Sequence, residues 1–172
     1  MTRSELNSTE YNEYYAKYID KIDLKTDLNN GFEDDKKMVI DFFSSVPKEK
    51  LDYRYQPEKW SIKEILQHLI DTERIFMYRL LRIARKDTTA LAGFDQDIFI
   101  ESSKANAKTL EALLREFTIT RLYSINLLQS ISDENLQNMG TASNSAVSAR
   151  ACAFILLGHS IWHINIIKER YI

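Results

Sequence analysis

The chain contains three histidines, His68, His159 and His163. His159 and His163 stand four residues apart, and on a helix that spacing puts two imidazoles on one face, a turn apart. Two neutral imidazoles so placed can hold one divalent metal ion. The same face carries Cys152, Ile155, Leu156, Ile166 and Ile167, so it points into a core. Gly158 precedes the pair and leaves room for another backbone or a ligand. His68 belongs to another segment, at the edge of a stripe formed by Ile62, Ile65, Leu69, Phe76, Leu80 and Ile83. Its own column contains Ser61, Thr72, Ile75 and Arg79. An edge position beside polar groups suits a ligand that faces both the core and a pocket. Three neutral histidines leave one position of a tetrahedral site open, as catalytic zinc sites do. An ion there would lower the pKa of a bound water or thiol, or polarise a carbonyl. An H-x-x-x-H pair also arises by chance, and many buried histidines only donate to a carbonyl. One point speaks for a metal site: no histidine is left over elsewhere in the chain.

Four helical segments must position these rings. The first spans about Phe32 to Val46, with Met38, Val39, Phe42, Phe43 and Val46 at helical spacing and Pro47 as its stop. The second runs from Ser61 to Arg85 and opens on the Ser61–Glu64 capping box. The third spans about Lys104 to Ser130, with Leu110, Leu113, Leu114, Phe117, Leu122, Ile125 and Leu128 as its apolar stripe. The fourth spans about Val147 to Tyr171. The connections Pro47 to Trp60, Lys86 to Ser103 and Ile131 to Ala146 are long for a bundle, which points to crossovers or loops over a site. No segment sustains strand alternation. Residues 1–30 are polar, and Tyr14, Tyr15, Tyr18, Ile19 and Ile22 form a short amphipathic piece that can pack on the body.

Composition narrows the function classes. The 172 residues suit one domain with a real core. Only 4 Gly and 2 Pro favour long helices over many turns. With 23 Lys and Arg against 25 Asp and Glu, the formal charge of −2 lacks the basic footprint of a nucleic-acid binder. The longest apolar run, Ala151 to Leu157, is too short to span a bilayer. The N-terminus has no apolar run of the signal-peptide kind, and the single cysteine, Cys152, cannot form an internal disulfide. A cytoplasmic protein without nucleic-acid or membrane partners is the expectation.

Other residues carry two readings each. Asp71 either orients a histidine ligand from behind or forms a structural ion pair, and the ion pair is favoured. Glu73, set among apolar neighbours, is expected to pair with an arginine of another helix. Asp95 and Asp97 either help lid the site or cap the next element. Arg79 and Arg170, on the columns of the histidines, either bind an anionic substrate or tie helices together. Trp60 anchors the start of the second helix. Cys152 is a small core residue rather than a soft ligand.

The run YRYQPEKWSIKEILQHLIDTERIFMYRLLRIAR, the loop GFDQD and the stretch GTASNSAVSARACAFILLGHSIWHINIIKERY resemble the DinB superfamily of DinB/YfiT-like metalloenzymes. The resemblance covers Tyr14 to Tyr171 and rests on KWSIKE, HLIDTER and GHxxxH in that order. It implies an all-α four-helix bundle of the DinB/YfiT-like type with long inter-helix connections. It also implies a divalent ion, zinc or nickel foremost, held by His68, His159 and His163 near one end of the bundle. Relatives often carry a histidine just before the last ligand; Trp162 stands there in this chain. The resemblance further implies a homodimer and a small-molecule substrate. For activity it implies a thiol-dependent S-transferase with a low-molecular-weight thiol as cosubstrate. A metal-dependent hydrolase that activates water, and a non-catalytic metal-binding dimer, are the alternatives.

Overall fold

The computed structural model describes residues 1–172. Each long helix begins where a short polar side chain accepts from a free backbone N–H of the first turn, the bond that Asp, Ser and Thr caps supply. Asp27 caps α2 (Leu28–Ser45), Ser61 caps α3 (Ile62–Ala84), Thr109 caps α5 (Leu110–Gln129) and Ser148 caps α7 (Ala149–Arg170). The Ser61–Glu64 capping box forms as the sequence predicts. Three short helices fill the intervals: α1 (Ala16–Ile19), α4 (Gln96–Ser103) and α6 (Asp133–Leu136).

The four long helices form a bundle in which α2 packs on α5 and α7, and α3 packs on the same two. Helices α2 and α3, consecutive among the long helices, are therefore diagonal partners, and so are α5 and α7. Helix axes lie 8–10 Å apart at contact, so a diagonal crossing spans about 13 Å. The segments from Val46 to Ser61 and from Ser130 to Ser148 make these crossings, which accounts for their length. The wiring is not up-down-up-down.

Two segments differ from the sequence-based expectation. The third long helix begins at Leu110, not near Lys104, because Lys104 takes a left-handed conformation (φ 54°) that ends α4. The fourth begins after Val147, because residues 139–148 form a hairpin. Strand β1 (Met139–Ala142) pairs antiparallel with β2 (Ser145–Ser148), Met139 opposite Ser148 and Ala142 opposite Ser145. Ser143 and Asn144 make its two-residue turn with φ of 50° and 60°, the positive pair that a type I′ turn requires.

The apolar interior is split in two. One cluster gathers Phe32, Met77, Leu80, Ile125, Leu128 and residues Phe154 to Leu157, together with Tyr18, Ile19 and Ile22 of the N-terminal segment. The other gathers Val39, Phe43, Ile62, Leu66, Leu69, Leu113, Phe117, Ile164 and Ile167. Between them every long helix contributes buried polar groups: Asp35 from α2, His68, Thr72 and Glu73 from α3, Arg121 and Ser124 from α5, His159, Ser160 and His163 from α7. This polar layer contains the candidate site, which lies between the two apolar clusters and not at an end of the bundle. Helix α7, at 22 residues, is long and apolar enough to cross a membrane by length and composition alone, yet most of its surface is buried inside the bundle.

The layer is held by a fully buried ion cluster. Arg121 donates from Nε and Nη2 to the two Glu73 oxygens at 2.8 and 2.9 Å, and from Nη1 to Asp35 at 2.5 Å. Ser124 donates to Glu73 at 2.7 Å. Glu73 thus pairs with an arginine of another helix, as its surroundings predict.

Candidate metal centre

The i, i+4 spacing on α7 sets His159 and His163 with ring centroids 4.5 Å apart, and α3 brings His68 to 4.8 Å from one and 5.0 Å from the other. The rings converge on Nε2. His159 Nε2 lies 3.0 Å from His68 Nε2 and 3.0 Å from His163 Nε2. The three ligand atoms all lie within 4.8 Å of one another, and all three residues are buried.

This donor set fits one divalent ion better than a set of hydrogen bonds. An imidazole nitrogen has one in-plane site, occupied by either a proton or a lone pair. His159 Nε2 therefore cannot form full hydrogen bonds with both neighbours. Two nitrogens sharing an ion at 2.0–2.1 Å, by contrast, come to lie about 2.9–3.4 Å apart. The rings are also in the protonation state that ligands need. Burial lowers the His68 pKa to about 4. Burial, then the neighbouring histidines and the Lys17 ammonium, hold His159 well below the usual range, and His163 follows for the same reasons.

The rings are oriented from outside the triad. Thr72 Oγ1, one turn after His68, lies 3.4 Å from His68 Nδ1 and leaves Nε2 for the centre. Trp60 packs on His68 at 4.6 Å between centroids, and Trp162 meets His163 edge-on at 4.8 Å. Tyr18 meets both His159 (5.1 Å) and Trp162 (5.5 Å) edge-on. Gly158 is what lets Tyr18 come so near. A Cβ there would stand 2.1 Å from the Tyr18 carbonyl oxygen. Another backbone occupies the space that the sequence leaves open.

Two cavities reach the triad. The larger, about 630 Å³, touches His68 and His159 and extends past Thr72 and Phe76 to Arg79, Phe94 and Ser143. The smaller, about 370 Å³, touches His68 and His163 and is walled by Lys17, Tyr55, Trp60 and Trp162. Tyr14, Tyr18 and Gln96 border both. The histidines thus stand where two chambers meet, and the N-terminal segment is a shared wall.

The remaining candidates divide. Arg79 lines the larger cavity. Asp95 lines it too, but its Oδ1 accepts from Asp97 and Ile98 N–H as the cap of α4. Asp97 reaches only the smaller cavity. Asp71 does not support a histidine: it accepts from Gln67 and Arg74. Arg170 lies away from the triad, exposed, and donates to the Tyr55 hydroxyl. Cys152 is fully buried, its thiol pushed up to about 12 by burial, and is not among the converging ligands. Sequence reasoning places Tyr14, Tyr15 and Tyr18 on the body but does not assign them to the site. Their aromatic density and the lone Gly158 are the signals that point there.

Comparison with known proteins agrees with this picture. No curated protein sequence matches the chain. Among solved structures, YfiT from Bacillus subtilis, described as a probable metal-dependent hydrolase with an unusual four-helix bundle topology, superimposes with a TM-score of 0.75. It is 16% identical and covers 95% of this chain and 90% of its own. At that identity the match speaks for the fold. The family model for the DinB superfamily matches residues 32–167, which include all four long helices apart from their outermost residues and all three histidines. The chain belongs to the DinB superfamily.

Proposed function

We propose that this protein is a divalent-metal-dependent S-transferase that joins a low-molecular-weight thiol to an electrophile at His68, His159 and His163. The observation that carries the reading is the pair of chambers meeting at the triad, one for each reactant. A divalent ion bound there, zinc or nickel, supplies Lewis acidity that lowers the pKa of a coordinated thiol. The chain's own residues do the rest. His68, His159 and His163 offer three neutral nitrogens and no fourth protein ligand converges with them, which leaves room for a reactant. Trp60, Trp162 and Tyr18 pack against the rings and hold their orientation. No carboxylate is among the converging ligand atoms, although Asp95 lines the larger chamber and Glu58 and Asp97 the smaller.

A second reading, a hydrolase that activates water at the same centre, is favoured by the likeness to YfiT. One experiment separates the two. Elemental analysis should find about one divalent ion per chain, lost in H68A, H159A or H163A. The metal-loaded protein is then given monochlorobimane with a panel of cellular thiols, and aryl esters without thiol. Conjugation that needs both thiol and ion supports the transferase, and ester cleavage without thiol replaces it with the hydrolase. Wild-type metal content in H68A would refute the centre.

A further inference from the structure

Arg79 is a buried cation without a counter-ion. It is 3% exposed, yet no carboxylate lies within ion-pair distance of it, whereas of the other buried arginines Arg121 grips two and Arg150 one. Burying a guanidinium without an anion is costly, so such a group is retained where something else supplies the charge. Its Nη2 donates to the Ala92 carbonyl and the Ser143 hydroxyl, both at 2.9 Å. Nε and Nη1 make no hydrogen bond within the protein, and the residue lines both the larger cavity and a small pocket against the hairpin. The rings of Phe76 and Phe94 flank the guanidinium at 4.9 and 5.9 Å and limit its contact with water. The only acid lining the larger cavity, Asp95, caps α4 through Oδ1 and makes no ion pair with Arg79.

Position along α3 adds a length scale. His68, Thr72, Phe76 and Arg79 line the cavity in sequence. Eleven residues separate the first from the last, about 16 Å of helix rise. The arginine side chain leans back toward the N-terminus, and so toward the triad. The cavity between is walled by Tyr14, Tyr15, Phe76, Phe94 and Ile155.

We propose that Arg79 anchors an oxyanion, a carboxylate or a phosphate, at the far end of an elongated small substrate. The middle of that substrate is apolar, and its reacting end lies at the three histidines. This assignment rests on the reading of the triad as a metal centre. It narrows the substrate class to molecules that carry negative charge on the order of 10 Å from the reacting atom.

The test is titration calorimetry on the metal-loaded protein with 4-phenylbutyrate and its neutral counterpart 4-phenylbutyramide. A second pair, 3-phenylpropyl phosphate and 3-phenylpropanol, tells phosphate from carboxylate. At least one anion should bind tenfold or more tightly than its neutral partner, as a charge-assisted bond in a partly dry site provides. The preference should vanish in R79M, survive in S143A, which loses one loop contact and keeps the cation, and persist after chelation of the ion. Wild-type protein that shows no preference in either pair overturns the proposal, whatever becomes of the variants. So does a preference that R79M keeps, or one that chelation abolishes, since the ion would then be the anion's partner. Metal content is measured on the same samples. Its absence from wild type refutes the metal centre, while the charge preference reports on Arg79 alone.

Discussion

Replacing Gly158 by alanine sets two known effects against each other. Alanine is favoured over glycine inside a helix by about 1 kcal/mol, so α7 taken alone would gain. In the protein the new Cβ would stand 2.1 Å from the Tyr18 carbonyl oxygen, 2.4 Å from its carbon and 3.1 Å from the Ile19 nitrogen. Ordinary contact begins near 3.4 Å, so the N-terminal backbone must retreat by roughly 1.3 Å. Overpacking costs about 1–3 kcal/mol, and the obstacle here is backbone, which cannot rotate aside, so the upper end applies. The net loss is about 2 kcal/mol, which for a domain of this size lowers Tm by about 4–8 °C. Calorimetry measures the total. Hydrogen exchange read by mass spectrometry locates it, with protection lost first over residues 16–22, which include the buried Tyr18, Ile19 and Ile22. Because Tyr18 packs on His159, metal affinity should fall as well. A Tm that rises by a few degrees with unchanged protection would show that the crossing yields freely and would refute the reasoning.

Two further predictions concern pH and assembly. Burial pushes the Asp35 carboxyl up to about 6, Arg121 opposing and Glu73 adding. An acid whose folded pKa exceeds its unfolded one destabilises the fold while ionised, and that penalty is relieved as pH falls through 6 toward 3.8. The three histidines act the opposite way. Their folded pKa values lie below 6.5, so their contribution is intact above 6.5 and drains away under acid. Three such groups outweigh one, and the metal-free wild type should lose stability from pH 7 to pH 5. The stability of wild type relative to D35N should nonetheless rise by about 1 kcal/mol over that interval, read by urea unfolding; a flat or falling difference would refute the shift. For assembly, Ile119, Leu122 and Tyr123 form an apolar strip on α5 that is at least half exposed. We propose that it is the seam of a homodimer, in which case L122D should give a monomer by light scattering and an unchanged mass would dismiss this seam.

Much of the architecture was legible because it depends on local rules. The capping box at Ser61 and the proline at 47 fix helix ends by backbone hydrogen bonding, which short windows of sequence carry. The triad was legible because all three histidines share one fate. What local pattern does not carry is the choice among faces. Leu122 fits the apolar stripe of its helix, yet it is 50% exposed, because α5 turns that edge away from α3 and α2. The hairpin at 139–148 leaves no local signature because its turn is Ser-Asn rather than a glycine pair and its strands are only 4 residues each. Arg79 and Arg170 look alike in sequence, each on a histidine column. Only the packing of the Phe94 loop and the hairpin over α3 separates a buried cation from a solvated one.

The Arg121 cluster constrains how this bundle can change over evolutionary time. One arginine serves two carboxylates from two other helices, all three nearly inaccessible to water. Removing a single member strands the others, at about 3–5 kcal/mol for a buried pair, which is a large share of a domain's stability. Replacing all three together with apolar residues costs little by the same physics. The cluster therefore behaves as a ratchet: a lineage that has acquired it finds every one-step exit steep, although an apolar interior lies several coordinated substitutions away. Glu73 and His68 share α3, and Asp35 hydrogen-bonds the same guanidinium that Glu73 does. Lineages that keep the cluster keep the alignment of that helix, so the three histidines can persist together while the walls of the two chambers are free to diverge.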